Sequence, residues 1–343
     1  MARLTRAQTQ QLNRAKVLAA ARAEFAERGY RDAKIDAIAE RADLTRGAVY
    51  SNFPGKRALH FAVLAEDAAN APAAPHSTPG ETPREALGAL ARAWVTRPAY
   101  SLAPELLADE QLRLAHTQLL KLSALLLARA LERLQPRDTP AAAPAPRLVR
   151  LAETVLTTLH GARELAATAP GFVEPFDVVS ACEQLAGLSL NDYFAPGKGT
   201  ATPADGAWAP PAASDLVTGE PVVLTDDGAV VVAGLHRLAR VEGAARCAPV
   251  TAVLVTSAPS ELCPLARLVL ADLAGCVREA FPRRAWPDLR VVCDDDGAIA
   301  AAAGLPAVTD DTEATLLVSA GRIVARAEMI TSWEGMRELF TRS

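Results

Sequence analysis

Residues Leu44–Lys56, LTRGAVYSNFPGK, leave the chain few local options. Thr45 can cap a helix, Gly47 falls inside a helical pattern, and Pro54-Gly55 ends that pattern. Upstream, Leu18, Ala21 and Phe25 recur at helical spacing in a first helix expected to end at Gly29, where glycine suits a left-handed cap. Ile35, Ile38, Ala39 and Ala42 repeat at i, i+3, i+4 and i+7 and predict a short second helix with Asp32 as its cap. A break at Asp43-Leu44 leads into a third helix. Its Ala48 and Val49 face inward, and Arg46, Gly47, Tyr50 and Asn52 face out. Three short helices with a tight turn between the second and third read as a helix-turn-helix.

The charge distribution supports a polyanion-binding head. The whole chain carries a formal net charge of −4, yet residues 1–60 hold 12 Lys or Arg against 6 Asp or Glu. Residues 215–343 hold 12 against 18. Such an asymmetry fits a basic head on a body that polyanions do not attract. No apolar run reaches the roughly 18 residues of a membrane span, and the polar, basic N-terminus lacks the apolar core of a secretion signal. The expectation is a cytoplasmic protein with no membrane partner. The five cysteines are widely spaced without CxxC or histidine partners, so the spacing indicates neither a disulfide framework nor a metal site, and no cofactor is expected.

A recognition helix enters the major groove by its N-terminal residues, which places Thr45 and Arg46 within reach of base edges or flanking phosphates. Gly47 removes a side chain where helix and DNA backbone crowd together. Tyr50 and Asn52 are donors on the same face, and Lys56 at the start of a fourth helix completes an anion site.

The segment RGYRDAKIDAIAERADLTRGAVYSNFPGKRAL, residues 28–59, resembles the DNA-binding domain of TetR-family transcriptional regulators. The family's pattern is met at Gly29, Tyr30, Ile38, Ala39, Thr45, Gly47, Val49, Tyr50, Phe53 and Lys56. It departs at Ala33-Lys34, where the family usually has a Thr-Ser-like pair, so Lys34 would replace a phosphate hydrogen bond with a charge. It departs again at Asp43, where the family usually has glycine. The resemblance implies double-stranded DNA as partner, a homodimer on a near-palindromic operator, and release by an unknown small-molecule effector. Catalytic residues are not expected.

Residues 61–195 read almost wholly as helix, with breaks near NAPAAPHSTPG, TRPAY and QPRDTPAAAPAP. The resemblance makes them the ligand-binding and dimerisation domain, whose last two helices would pack against their copies in a second subunit. Trp94, Tyr100, His116 and His160 are candidates to line a ligand pocket there, against the plainer reading of packing or surface. Residues 196–214, rich in Pro, Gly and Ala, read as a linker.

Residues 215–343 alternate short β-branched runs with a helix, which indicates a small α/β domain. That tail resembles the thioredoxin-like and peroxiredoxin-like fold through SELCP, RVVCDDDGAIAAAAGL and TLLVSAGRIVARAE. The expected architecture is therefore multidomain: an all-α head (1–60) and body (61–195), then a thioredoxin-like domain (215–343). In such folds the first turn of the helix after the central strand holds the working cysteine, the place of Cys263, where a helix start would lower the thiol pKa. The CxxC is absent, because position 266 is Ala, and the fold's proline beside the cysteine is Ala314 here. Disulfide catalysis is not expected. Cys276 lies thirteen residues along the same helix, about 20 Å away and too far to bridge. Cys293 ends the next strand on the same edge of the sheet, so Cys263 and Cys293 are redox candidates. Two other roles for the tail stand open: a redox enzyme held on DNA by the head, or a structural or partner-binding module.

Overall fold

The computed structural model describes residues 5–73, 78–98, 100, 102–135, 147–194 and 201–327. The expected break at 136–146, the start of the linker at 196–200 and the tail beyond 327 lie outside the described residues.

The head is built from α1 (Arg6–Asp32), α2 (Ile35–Arg41), α3 (Arg46–Asn52) and α4 (Lys56–Ala69). Thr5 caps α1 through a capping box with Gln8. Gly29, at φ 71° and ψ 164°, breaks the first helix where the sequence predicts its end, and one further helical turn over residues 30–32 follows. Asp32 therefore belongs to α1 and does not cap α2, whose cap position is Lys34 with no side-chain bond. Asp43 adopts the left-handed conformation, φ 55°, in the turn before α3. Val17, Leu18, Ala21, Ile38, Val49, Phe53 and Leu59 close a small core among the four helices.

The body comprises α5 (Pro83–Thr96), α6 (Ala103–Ala108), α7 (Glu110–Leu134), α8 (Val149–Thr168) and α9 (Pro175–Leu185). A leucine seam along α7, from Leu112 to Leu131, is buried.

The C-terminal part holds β1 (Ala201–Ala207), β2 (Ala213–Ser214), β3 (Pro221–Val222), β4 (Gly228–Gly234), α10 (Val241–Ala245), β5 (Val250–Val255), α11 (Pro259–Ala280), β6 (Leu289–Cys293), α12 (Ala298–Ala302), β7 (Glu313–Ser319) and β8 (Arg322–Ala327). Six strands form a mixed sheet in the order β1-β8-β7-β4-β5-β6. β4, β5 and β6 run parallel, and the β7–β8 hairpin runs antiparallel beside β4.

Two expectations are corrected by this sheet. Residues 201–207, read as linker, form an edge strand paired with β8, because backbone pairing there needs no β-branched side chain. The thioredoxin-like reading puts Ala314 beside the cysteine-bearing helix start, but β4 lies between β5 and the hairpin, and Ala314 registers with Val232. β4, GAVVVAG, is buried throughout and claims the centre of the sheet, as a continuous apolar run does when both faces are covered.

One face of the sheet shares its core with the helical body. Leu90 and Leu126 belong to the same cluster as Val231, Leu265 and Leu268. The agent is α11, buried on most sides, which packs across α4, α5 and α7. Polar ties reinforce it: Arg97 pairs with Glu279 at 2.8 Å, Arg129 with Asp288 at 2.9 Å, and Arg57 of α4 with Glu261. Gly275 leaves room for the Arg97 guanidinium at this crossing, since a Cβ there would lie 2.3 Å from it and the arginine would have to shift.

Candidate nucleic-acid interface

The exposed face of α3 follows from its cap. Thr45 turns the chain into the helix with its hydroxyl accepting from the Ala48 amide at 3.2 Å. Arg46 and Gly47 are then the first two helical residues, and both are exposed. The Arg46 guanidinium pairs with Asp36 of α2 at 3.3 Å and lies 5.5 Å from the centroid of the Tyr50 ring. Tyr50 is itself 41% exposed. Exposed pairs of this kind contribute little to stability and exchange readily for a phosphate. Gly47 presents bare backbone, and an added Cβ would meet nothing nearer than Thr45 Oγ1 at 3.9 Å. Lys34 is exposed at the start of α2.

Two expected contacts are placed differently. The Asn52 amide donates to the Ala48 carbonyl at 2.8 Å, and the Asn52 carbonyl accepts from Arg14 at 3.4 Å, so Asn52 closes α3 instead of projecting from it. Lys56 donates to the carbonyls of Arg31 and Ala33 at 2.9 and 3.0 Å and covers the Tyr30 ring at 4.8 Å. The last carbonyls of a helix lack intrahelical partners, and Lys56 supplies them one where α1 ends. It is a tie within the head, not an open anion site.

The four pocket candidates line neither of the two clefts formed among the described residues. The Trp94 indole donates to the Leu159 carbonyl at 3.1 Å and meets His160 edge-on at 4.8 Å. Tyr100 donates its hydroxyl to Asp272 of α11 at 3.1 Å. Arg163 lies 4.1 Å from the Trp94 centroid and forms a buried ion pair with Asp272. Burial, then the Arg163 charge, pushes His160 down to about 4, and burial lowers His116. Trp94, Tyr100 and His160 thus belong to a packed joint between body and sheet. Arg163 and Asp272, its centre, were not among the sequence candidates; Asp272 is a lone charge between apolar residues of α11, the one signal that pointed to the joint, whereas Arg163 sits beside Glu164 and looks like a surface residue.

A cleft of about 1030 Å³ opens between head and sheet domain beside the packed α4–α11 contact, lined by Arg14 and Leu18 of α1, Ala62 and Glu66 of α4, and Ser260 and Arg267 of α11. Cys263 does not stand at a helix start. α11 begins at Pro259, so Cys263 is the fifth residue and is 1% exposed. Its hydrogen bond to Cys293, with burial, raises its thiol pKa, the reverse of the expected lowering. Cys293 is half-buried at the end of β6.

Residues 17–63 match the family described as bacterial regulatory proteins, tetR family, which makes the head a tetR-type domain. Among solved structures, a TetR transcriptional regulator from Rhodococcus sp. RHA1 is 17% identical, covering 53% of this chain and 99% of its own, with a TM-score of 0.30. The fatty acid degradation regulator FadR from Bacillus halodurans is 16% identical, covering 51% and 99%, also at 0.30. No curated protein matches the chain.

Proposed function

We propose that the protein is a DNA-binding transcriptional regulator, acting in the cytoplasm as a homodimeric repressor on a near-palindromic operator. The observation that carries this reading is the open face of α3 on a tetR-type head: a capping Thr45, an exposed Arg46, a bare Gly47 and an exposed Tyr50 in succession. Those groups suit a groove lined with phosphates and base edges. No helix among the described residues is long and apolar enough to cross a membrane.

The dimer is supported by an apolar stretch at the end of α8 and around α9. Phe172 and Phe176 are 74% and 77% exposed, with Leu165, Leu188 and Tyr193 also open. A patch of large apolar side chains in one region marks an interaction surface. A second copy meeting through it would set two heads on successive half-sites. An effector would act at the cleft between head and sheet, where occupancy changes the position of α4 and hence of α3; only a ligand that favours one arrangement shifts the balance. The reading assigns no catalysis, since a buried thiol with raised pKa is a poor nucleophile.

The test is binding of purified protein to duplex from its own upstream region, beside sedimentation of wild type and a Phe172→Glu/Phe176→Glu variant. A dimer that binds this duplex over random sequence, and a variant that sediments as a monomer, support the reading. A monomeric wild type, or indifference to sequence, refutes it.

A further inference from the structure

The parallel neighbours β5 and β6 end on one edge of the sheet, with Leu254 in register with Cys293. β5 leads into α11 and Cys263; β6 leads into Asp294-Asp295-Asp296. The three acids have different duties. Asp294 is buried and accepts from the amides of Ile299 and Ala300 at 3.2 and 2.8 Å. Asp296 accepts from the Ala298 amide at 3.2 Å. Asp295 turns to the sulfurs: Cys263 Sγ, Cys293 Sγ and an Asp295 carboxylate oxygen all lie within 4.8 Å of one another.

That spacing is close to what a tetrahedral cation asks. With sulfur at about 2.3 Å and oxygen at about 2.1 Å from Zn²⁺, neighbouring ligand atoms sit roughly 3.5 Å apart. Three corners are therefore in place to within small side-chain shifts. The fourth opens outward, because Cys293 and Asp295 line a second cleft of about 600 Å³.

The charges also balance. Arg267 pairs with Asp295. With both thiols protonated, these two charges cancel. A divalent cation that displaces both thiol protons leaves two thiolates, one carboxylate, one guanidinium and the cation, again summing to zero. Metal uptake thus leaves the net charge of the site unchanged, and the one fully buried ligand, Cys263, gains its charge next to the cation. Thiolate donors select borderline and soft cations over Mg²⁺ and Ca²⁺. A disulfide would use only two of the three groups and would need an oxidant to reach the buried Cys263.

We propose that Cys263, Cys293 and Asp295 form a binding site for a thiophilic divalent cation of the Zn²⁺ class, with water completing the coordination. Its ligands come from α11 and from the end of β6, thirty residues apart, so no metal motif shows in the spacing. Glu261, two residues before Cys263, pairs with Arg57 of α4. Metal that draws the start of α11 toward β6 therefore acts on the helix behind α3; this coupling, unlike the site, rests on the DNA-binding reading.

The test titrates the reduced full chain with Zn²⁺ against a chromophoric chelator, and with Co²⁺ followed by absorption. The expected result is one ion per chain and a thiolate-to-cobalt charge-transfer band. Cys293→Ser, at the cleft and tolerant of the change, weakens binding at least about 100-fold and removes most of that band; Asp295→Asn weakens it about 10-fold or more. Affinity rises about 100-fold per pH unit while two protons are displaced per ion. Wild-type binding no tighter than that of Cys293→Ser, or thiols that close to a disulfide and take up no metal after reduction, overturns the site. Added Zn²⁺ changes duplex affinity in wild type and not in Cys293→Ser; if the head binds no DNA at all, the titration still reads the site.

Discussion

Gly47→Ala separates folding from DNA binding, because the structure gives the two effects opposite signs. Gly47 is the second residue of α3 and is not among the glycines with positive φ. An added Cβ meets only Thr45 Oγ1, at 3.9 Å. Nothing in the fold opposes alanine, and its helix preference over glycine adds about 0.5–1 kcal/mol. The head should therefore melt slightly higher. At the DNA face the same methyl group intrudes where helix and phosphate backbone meet. Overpacking of this kind costs about 1–3 kcal/mol, or roughly 5- to 150-fold in affinity. Thermal melting followed by circular dichroism reads the first effect, and fluorescence anisotropy with labelled duplex reads the second. A variant more stable than wild type yet equal in DNA affinity would refute the close approach of DNA to Gly47. A less stable variant would refute the open space drawn around it.

Lys56→Ala should act differently from a surface lysine: loss of its bonds to the Arg31 and Ala33 carbonyls costs about 1.5–3 kcal/mol, read as a lower melting temperature of the head. Asp272→Ala leaves Arg163, 8% exposed, without its carboxylate and should destabilise the chain by about 3–5 kcal/mol in denaturant melts, whereas Arg163→Met/Asp272→Leu recovers most of that loss. Acid should destabilise the fold through His60 and His160, which burial holds down to about 4 from 6.5; His60 also faces the Lys56 ammonium, with the Glu105 carboxylate 4.0 Å away. The unfolded chain takes up those protons first, so stability is full above pH 6.5 and falls by about 1.4 kcal/mol per pH unit for each histidine between 6.5 and 4. His60→Phe, which keeps an aromatic ring against Tyr30 and Phe25, should remove one proton's share of that slope in melts at stepped pH.

The head was legible in the sequence because its signals are local. Thr45 caps within three residues, Asp43 carries the left-handed turn alone, and Pro54-Gly55 stops α3 wherever the rest of the chain lies. The redirected side chains were not legible: Lys56 finds its partners 23 and 25 residues upstream, in the extra turn that follows the break at Gly29. The sheet shows the same limit at longer range. Each apolar run was readable as a strand, but strand order depends on which runs meet, and nothing in GAVVVAG announces that it enters between β5 and the hairpin. Residues 201–207 hold only Thr202 as a β-branched side chain beside Pro203 and Gly206, and owe their conformation to the edge of β8. That a helix lies between the strands was legible, and its docking into the helical body, fastened by Arg163 and Asp272 across 109 residues, was not.

The measurement that bears most directly on the account is the salt dependence of duplex binding by the purified full chain, wild type against Arg46→Ala, on its own upstream sequence and on a random duplex of equal length. The account predicts that wild type prefers the upstream duplex, that Arg46→Ala weakens binding, and that the slope of log affinity against log salt falls by about 0.9 as one phosphate contact is lost. Equal affinity of wild type for both duplexes, with a slope that Arg46→Ala leaves unchanged, would contradict the claim that α3 reads DNA.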